Sequence, residues 1–261
     1  MNPNLALIIE VCNELGIKFT IVDKSKTLLK IGKTYFMHCS TPLNNQTTAR
    51  SLKDKDFTYK ILKDKVNQPF TKSYLDPFSK ESYQQYVEFK SYESISNDIK
   101  KHFQYPLIIK RNSGEKGINV YKVQDDNELM ASITEVFKDG KHYDYILLAQ
   151  EYIEGIEIRS LVLNNNLKTA YYRSMKFNPK SEHERFIEIS DSDLINKIEL
   201  IVKIISQEFE LGFVAVDLMH NGNELTLVEI NTSPNLSGFT RKSRNKSKEI
   251  FEEVIKESLK L

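Results

Sequence analysis

The sequence predicts an α+β fold built on largely antiparallel sheets. Three observations carry this. Extended and helical segments mix without the regular strand–helix–strand alternation of a parallel sheet. Two pairs of extended runs, Glu157–Leu163 with Leu167–Arg173 and Phe213–Met219 with Leu225–Asn231, close on short Asn- and Gly-containing turns. The helical segments show apolar residues on one face, at three- and four-residue spacing.

Taken in order, Leu5, Ile8, Ile9, Cys12 and Leu15 share one helical face, and Gly16 ends that helix. Extended runs at Ile17–Asp23, Thr27–Ile31 and Thr34–His38 follow. This opening is a small α/β piece, too short for a complete doubly wound nucleotide fold. Thr41–Arg50 is polar and reads as a loop. Ser51–Lys65 reads as a helix with Phe57, Ile61 and Leu62 inward. Pro69–Tyr74 reads as a strand, and a helix with Ile95, Ile99 and Phe103 on one side comes next. Leu107–Lys110, behind Pro106, reads as a buried strand, and a glycine-containing turn leads to the strand Ile118–Val123. Asp125 or Asp126 caps a helix carrying Leu129, Ile133, Val136 and Phe137. Tyr145–Tyr152 is extended. The first hairpin turns at Asn164, Asn165 and Asn166, residues that tolerate positive φ. Leu194–Phe209 is a long amphipathic helix. The second hairpin turns at Asn221-Gly222-Asn223, and a basic, serine-rich stretch leads to the helix Ser247–Leu259.

Bulk properties exclude more than they assign. The 261 residues are 40% hydrophobic and 28% charged, with a formal net charge of +1. No whole-molecule field points to nucleic acid or a membrane surface. No apolar run approaches the ~20 residues that span a bilayer, and the first residues do not read as a signal peptide. The two cysteines, Cys12 and Cys39, form no CxxC pair, and the five histidines show no zinc-binding spacing. Two free thiols in a reducing cytoplasm are the expectation.

Four groups of residues could carry chemistry. Glu229 and Asn231 are two apart and share one strand face, and Asp217 lies on the preceding strand. If Met219 pairs with Leu225, Glu229 faces Ala215 and Asp217 lies diagonally across on the same side; a one-residue slip would send Asp217 to the other face. Two carboxylates and an amide oxygen suit a hard divalent cation such as magnesium, and they equally describe a solvated face on an edge hairpin. Lys110 ends an apolar strand and enters a loop with Ser113, Gly114 and Gly117. Such a loop can present a fixed charge and backbone N–H groups to phosphate, or simply turn a hairpin; it matches neither a Walker A loop nor GxGxxG. The run from Ala149 to Arg159 joins two strands through Gly155. Its backbone could bond an adenine edge and a carboxylate there could accept from ribose hydroxyls, or it is a strand connection with exposed charges. Arg159 and Arg173, on the two strands of the first hairpin, could bind carboxylate or phosphate bidentately, or form surface salt bridges.

The order and spacing of these pieces, from about Ser51 to Asn235, resemble the ATP-grasp superfamily. The similarity is to its amino-acid and peptide ligase branch: cyanophycin synthetase, the ligase part of bifunctional glutathione synthetases, and ribosomal-protein glutamate ligases. The matching text is Lys-Asp-Lys at 53–55, Pro-Leu-Ile-Ile-Lys at 106–110 and Ser-Gly-Glu-Lys-Gly-Ile at 113–118. It continues with Gln-Glu-Tyr-Ile-Glu-Gly-Ile-Glu-Ile-Arg at 150–159, Val-Asp-Leu at 216–218 and Glu-Ile-Asn-Thr-Ser-Pro at 229–234. The resemblance implies two α+β lobes gripping ATP. The division would be a short α/β region over 1–48, a smaller lobe over 49–148, and a lobe with the metal site over 149–261. Lys55 and Lys110 would contact phosphates, and the 113–118 loop would close over them. Glu151 and Ile153 would meet adenine through backbone groups, and Glu157 would bind ribose. Asp217, Glu229 and Asn231 would hold one or two Mg2+ ions, for which Mn2+ can substitute. Arg173 would sit near the transferred phosphoryl group, with Arg159, Ser233 and Arg241 serving substrate or loop order. Two departures stand out: Glu115 and Lys116 sit near the tip of a glycine-poor loop, and the N-terminal region is small.

The implied activity is ATP- and Mg-dependent joining of a carboxylate to an amine or thiol through an acyl phosphate. A kinase or phosphotransferase of the same fold, and a non-catalytic nucleotide-binding module, are the alternatives. The implied partners are a small-molecule or peptide substrate and no nucleic acid or membrane, with a homodimer mate or a carrier protein to complete an open acceptor site. The stretch Arg241-Lys242-Ser243-Arg244-Asn245-Lys246 would favour an anionic substrate if it faces that site, and is otherwise a solvated loop.

Overall fold

The computed structural model describes residues 1–114, 117–138, 143–174 and 185–261. Helix α1 (Pro3–Glu14) starts at Asn2, whose side chain accepts from the N–H of Asn4, and strands β1 (Phe19–Ile21), β2 (Leu28–Ile31) and β3 (Thr34–Met37) follow. Next come α2 (Gln46–Lys53), α3 (Lys55–Leu62), β4 (Thr71–Leu75), a 3-10 turn at Glu81–Tyr86 and α4 (Tyr92–His102). Strands β5 (Leu107–Arg111) and β6 (Val120–Val123), helix α5 (Asp126–Phe137) and strand β7 (Ile146–Glu151) complete the middle of the chain. The remainder holds β8 (Ile156–Leu163), β9 (Asn166–Ser174), β10 (Ile187–Glu188), α6 (Ser192–Glu208), β11 (Phe213–His220), β12 (Leu225–Asn231), α7 (Ser237–Lys242) and α8 (Arg244–Ser258). Every strand pairing among the described residues is antiparallel, as the sequence predicts. No helix there is long and apolar enough to cross a membrane.

The chain divides into two compact units, Met1–Leu52 with Gly155–Leu261, and Lys53–Glu154. In the larger, β10-β9-β8-β11-β12 form a five-stranded sheet and β1-β2-β3 a three-stranded one. Alternation sorts the larger sheet's residues by face. Leu161, Leu163, Tyr171, Phe213 and Ala215 join Leu5, Ile8 and Val11 of α1, Phe239 of α7, and Phe251 and Val254 of α8 in one core. The opposite face buries Ile158, Val162, Val214, Val216 and Leu218, and α6 packs against β9 with Leu194, Ile198, Val202 and Ile205 buried. The hairpin turn between β8 and β9 has Asn164 and Asn165 at φ 47° and 66°, as that asparagine run predicts.

In the smaller unit, β4-β7-β5-β6 form a four-stranded sheet. One face, with Tyr74, Leu107, Ile109, Leu147 and Ala149, packs on Ile95 and Ile99 of α4 and Leu129 and Ile133 of α5. Ser91 and Ser94 close a capping box on α4, and Asp125, not Asp126, caps α5 by accepting from the N–H groups of Asn127 and Glu128.

Three expectations are corrected. The expected helix over 51–65 is two helices, and the first begins inside the expected loop over 41–50. Asn45 accepts from the N–H of Thr48 at 2.8 Å, and Asp54 leaves helical geometry (φ −80°, ψ 103°) to accept from the N–H of Phe57. Restarting at Asp54 turns the face. Asp56, Thr58 and Leu62 are buried, while Phe57 is 53% and Ile61 38% exposed. The basic stretch over 241–246 is not a loop: it falls on the end of α7 and the start of α8, which meet at Ser243. Arg244 pairs with Glu10, and Lys248 reaches Glu10 at 2.7 Å and Glu14 at 2.5 Å, which ties α8 to α1.

The register of the second hairpin is the third correction. Met219 pairs with Thr226, not Leu225, which is the one-residue slip that would part Asp217 from Glu229. The pairing shifts between Asp217 and Leu218: Leu218 faces Leu227 but Asp217 faces Glu229. Val228 is therefore an extra residue, a β-bulge that restores the alternation and returns Glu229 to the Asp217 side.

Candidate active site

Two clusters of the predicted residues form, one in each unit. In the smaller unit Lys110 extends from the sheet face opposite α4 and α5, and it is 5% exposed. Its Nζ donates to Gln150 Oε1 at 2.8 Å, Gln150 Nε2 donates to Thr71 Oγ1 at 2.8 Å, and Thr71 Oγ1 donates to the carbonyl of Pro69 at 2.9 Å. Because Thr71 fixes which end of the Gln150 amide points where, the oxygen must face the ammonium.

The turn after β5 is gripped from several sides. Lys55, at the start of α3, donates from Nζ to the carbonyls of Gly114 (2.6 Å) and Asn112 (3.3 Å). The N–H of Asp56 donates to Asn112 Oδ1 at 2.9 Å, and the N–H of Ser113 to Asp144 Oδ2 at 2.7 Å. Gly117 has φ +70°, a conformation that favours glycine. Glu115 and Lys116, the expected departures at the loop tip, lie outside the described residues. At the end of β7 the N–H of Glu151 donates to the carbonyl of Phe70 at 2.9 Å, and its carboxylate accepts from the N–H of Phe70 at 3.4 Å. Ile153 follows, half-buried and outside any strand.

The second cluster lies in a row across four strands. Tyr171 of β9 faces Arg159 of β8, Arg159 faces Asp217 of β11, and Asp217 faces Glu229 of β12. Opposed residues project from the same face, so the sheet's topology places all four side chains together. Arg159 grips Asp217 with two parallel bonds, Nε to Oδ1 at 2.7 Å and Nη2 to Oδ2 at 2.6 Å. Arg173 lies at a second bulge, where the β8–β9 pairing shifts, and its Nη1 reaches Glu157 Oε1 at 2.5 Å and Asp217 Oδ2 at 3.4 Å. Asn231 follows Glu229 by two residues and accepts at Oδ1 from the N–H of Ser233 at 2.9 Å, while the Oγ atoms of Ser233 and Ser40 are 2.8 Å apart. Arg241 is exposed on α7.

The electrostatics follow from burial and charge. Burial pushes the Glu157 carboxyl above the usual carboxylate range. Arg173 opposes this, and the neighbouring Asp217 and Glu229 carboxylates add to it. Burial alone would lower the Arg159 guanidinium, but its bond to Asp217 more than offsets that, so its value is raised. Burial pushes the Tyr171 phenol up to about 12. The site therefore holds a fixed cation against Asp217 and a crowded set of carboxylates beside it. Among the described residues, no three His, Cys, Asp or Glu side chains form a metal cluster. The hard oxygen donors on neighbouring strands are the Asp217 and Glu229 carboxylates and the Asn231 amide. Each carboxylate or amide oxygen has two lone pairs, so the bonds from Arg159 to Asp217 and from Ser233 to Asn231 leave acceptor capacity. By chemistry that set fits magnesium.

Gln150, Thr71, Asp144 and Tyr171 were not among the expected site residues. For Gln150 the signal is its even spacing from Leu148 on β7, which sets it on the same face as Lys110. Thr71 and Asp144 meet the site through contacts remote in sequence, and Tyr171 stands opposite Arg159 in the hairpin that the sequence predicts.

Comparison with known proteins gives the family. Residues 82–254 match the RimK-like ATP-grasp domain. The chain is 29% identical over 165 residues to a D-alanine--D-alanine ligase of Carboxydothermus hydrogenoformans, covering 58% of this chain and 52% of that protein. It is 27% identical over 140 residues to a probable alpha-L-glutamate ligase of Enterobacter sp. (strain 638), covering 52% of this chain and 45% of that protein. The chain thus spans about half the length of these curated relatives. The crystal structure of a D-alanine--D-alanine ligase from Bacillus anthracis complexed with ATP superposes with a TM-score of 0.59 at 19% identity, over 83% of this chain and 67% of that one, which shows the fold. The α+β architecture, the two-carboxylate strand pair and the family match lead to one conclusion: this chain belongs to the RimK-like ATP-grasp domain family.

Proposed function

We propose that the protein is an ATP- and magnesium-dependent ligase that joins a carboxylate to an amine or thiol through an acyl phosphate. The observation that carries this reading is the row Arg159–Asp217–Glu229 with Arg173 beside it. A carboxylate resists amines because its leaving group is poor. Transfer of the ATP γ-phosphoryl group supplies a good one, and catalysis of that transfer is mostly positioning and charge stabilisation. Lys110, locked by Gln150, and the turn held by Lys55 bind and orient the phosphates. Glu151 and Ile153 would meet adenine mainly through backbone groups, and Glu157 would bind ribose. Arg173 stabilises charge on the transferred group and then on the tetrahedral centre, and Arg159 keeps Asp217 in one orientation. Asp217, Glu229 and Asn231 would hold one or two Mg2+ ions, which when bound neutralise phosphate charge. Ser233 and Arg241 are assigned to the substrate side. That substrate is a small molecule or peptide, consistent with the ligases to which the chain is similar.

The test is turnover of ATP with Mg2+ against a panel of amino acids and peptides, reading ADP, inorganic phosphate and product mass. Release of ADP and phosphate in equal amounts with an amide product, and a hydroxamate when hydroxylamine is the nucleophile, is expected. ADP with the phosphate retained on the acceptor would make it a kinase, and no nucleotide use at all would make it a binding module.

A further inference from the structure

We propose that Asn44 is a positioning residue for the candidate site, holding the outgoing end of β12 and with it Asn231 and Ser233. The proposal rests on the reading above, in which Asp217, Glu229 and Asn231 hold a divalent cation. Strands β11 and β12 pair as far as Ala215 opposite Asn231, and there the ladder stops. Continued, it would set Phe213 opposite Ser233. The Asn44 carboxamide stands at that rung instead. Its Oδ1 accepts from the N–H of Phe213 at 2.9 Å, and its Nδ2 donates to the carbonyls of Phe213 at 2.8 Å and Thr232 at 3.0 Å. A carboxamide offers the donor and acceptor of a peptide group, so Asn44 replaces a strand residue while bridging two strands. Aspartate has no donor for the two carbonyls.

Neighbouring contacts make this a designed anchorage. Ser40 meets Ser233 at 2.8 Å. Asn4, buried, donates to the carbonyl of Pro234 at 2.8 Å and accepts from the N–H of Leu236 at 3.0 Å. The backbone before Asn44 crosses so close over Gly212 that a Cβ there would lie 2.2 Å from the carbonyl oxygen of Leu43. The Ser233 N–H, held from this side, donates to the Asn231 oxygen proposed as a metal ligand. The small N-terminal region thus takes part in the site by fixing a ligand strand.

The test compares Asn44→Ala and Asn44→Asp with Val254→Ala, which loosens the core of the same unit away from the tether. Two measurements are made on the whole chain: hydrogen exchange of peptides covering 229–236, and Mn2+ binding in the presence of ATP, read by electron paramagnetic resonance. Both Asn44 variants should exchange faster over 229–236 while α6 is unchanged, and their Kd for Mn2+ should rise about 10-fold, the usual cost of losing a group that orients a metal ligand. Val254→Ala should leave that Kd near wild type. Unchanged exchange over 229–236, or a Kd shift no larger than that of Val254→Ala, would overturn the proposal. Wild-type protein that takes up no Mn2+ with ATP would overturn the metal reading and the role of Asn44 in it. The exchange data would then separate that failure from a failure of the tether itself.

Discussion

Asp217 stands directly opposite Glu229, and it does so because Val228 is an extra residue in β12. Without the bulge, the pairing nearer the turn would set Val228 opposite Asp217 and send Glu229 to the other face. A bulge leaves one residue unpaired and disturbs the local ladder. Here the disturbance brings two carboxylates together.

Replacing Glu229 with Gln should therefore abolish magnesium-dependent turnover while circular dichroism and melting temperature stay near wild type, since the side chain is only half-buried. Wild-type rates in Glu229→Gln at limiting magnesium would refute the ligand assignment.

The Arg159–Asp217 pair should behave as a buried ion pair, since the two side chains are 9% and 6% exposed. Arg159→Met should cost about 3–5 kcal/mol, because Asp217 is left without its main counter-charge. The double change Arg159→Met with Asp217→Leu should recover most of that loss and remain inactive. Urea unfolding of the three proteins checks this, and a double variant no more stable than the single one would contradict it.

Glu157 should make stability depend on pH. Its carboxyl is raised in the folded state, first by burial, so the folded protein holds that proton more tightly than the unfolded chain. The resulting stability is full below the unfolded value of about 4.3 and is lost as pH rises through the folded value. Glu157→Gln, which never ionises, should match wild type in acid and become the more stable of the two toward neutral pH. A difference that does not change between pH ~4 and ~8 would refute the assignment.

The cysteines should differ in reactivity. Burial pushes the Cys12 thiol up to about 11 within the core under α1, whereas Cys39 is half-buried and accepts a hydrogen bond from Asn2. A maleimide at neutral pH should label Cys39 and spare Cys12 until the protein unfolds. Equal labelling of both in the native protein would show that the core opens.

Much of the fold was legible because its signals are local. The asparagine run at 164–166, the Asn221-Gly222 turn, the Asp125 cap and the apolar faces of α1, α4, α5 and α6 all act within a few residues. The helix break at Asp54 was missed because a capping aspartate inside polar text looks like any other surface charge. The bulge was missed for a different reason. Leu225, Leu227 and Val228 are all apolar, so the strand's alternation does not reveal which residue is extra. The family was legible in the order of its motifs, which no single motif carried. Thr71 against Gln150, Asp144 against the turn at Ser113, and Asn44 against β12 depend on partners distant in the chain, and no spacing rule reaches them.

The polar row and the main core occupy one face of the same sheet: Leu161 and Ala215 lie two residues along their strands from Arg159 and Asp217, and the Tyr171 ring stacks on Phe239 at 4.4 Å. The opposite face carries none of the candidate groups. Close-packed interiors transmit small shifts to their neighbours, so the two faces should not diverge equally in descent. Volume-conserving exchanges toward α6 would leave the candidate groups in place, whereas repacking beneath α7 and α8 would shift the row that carries them.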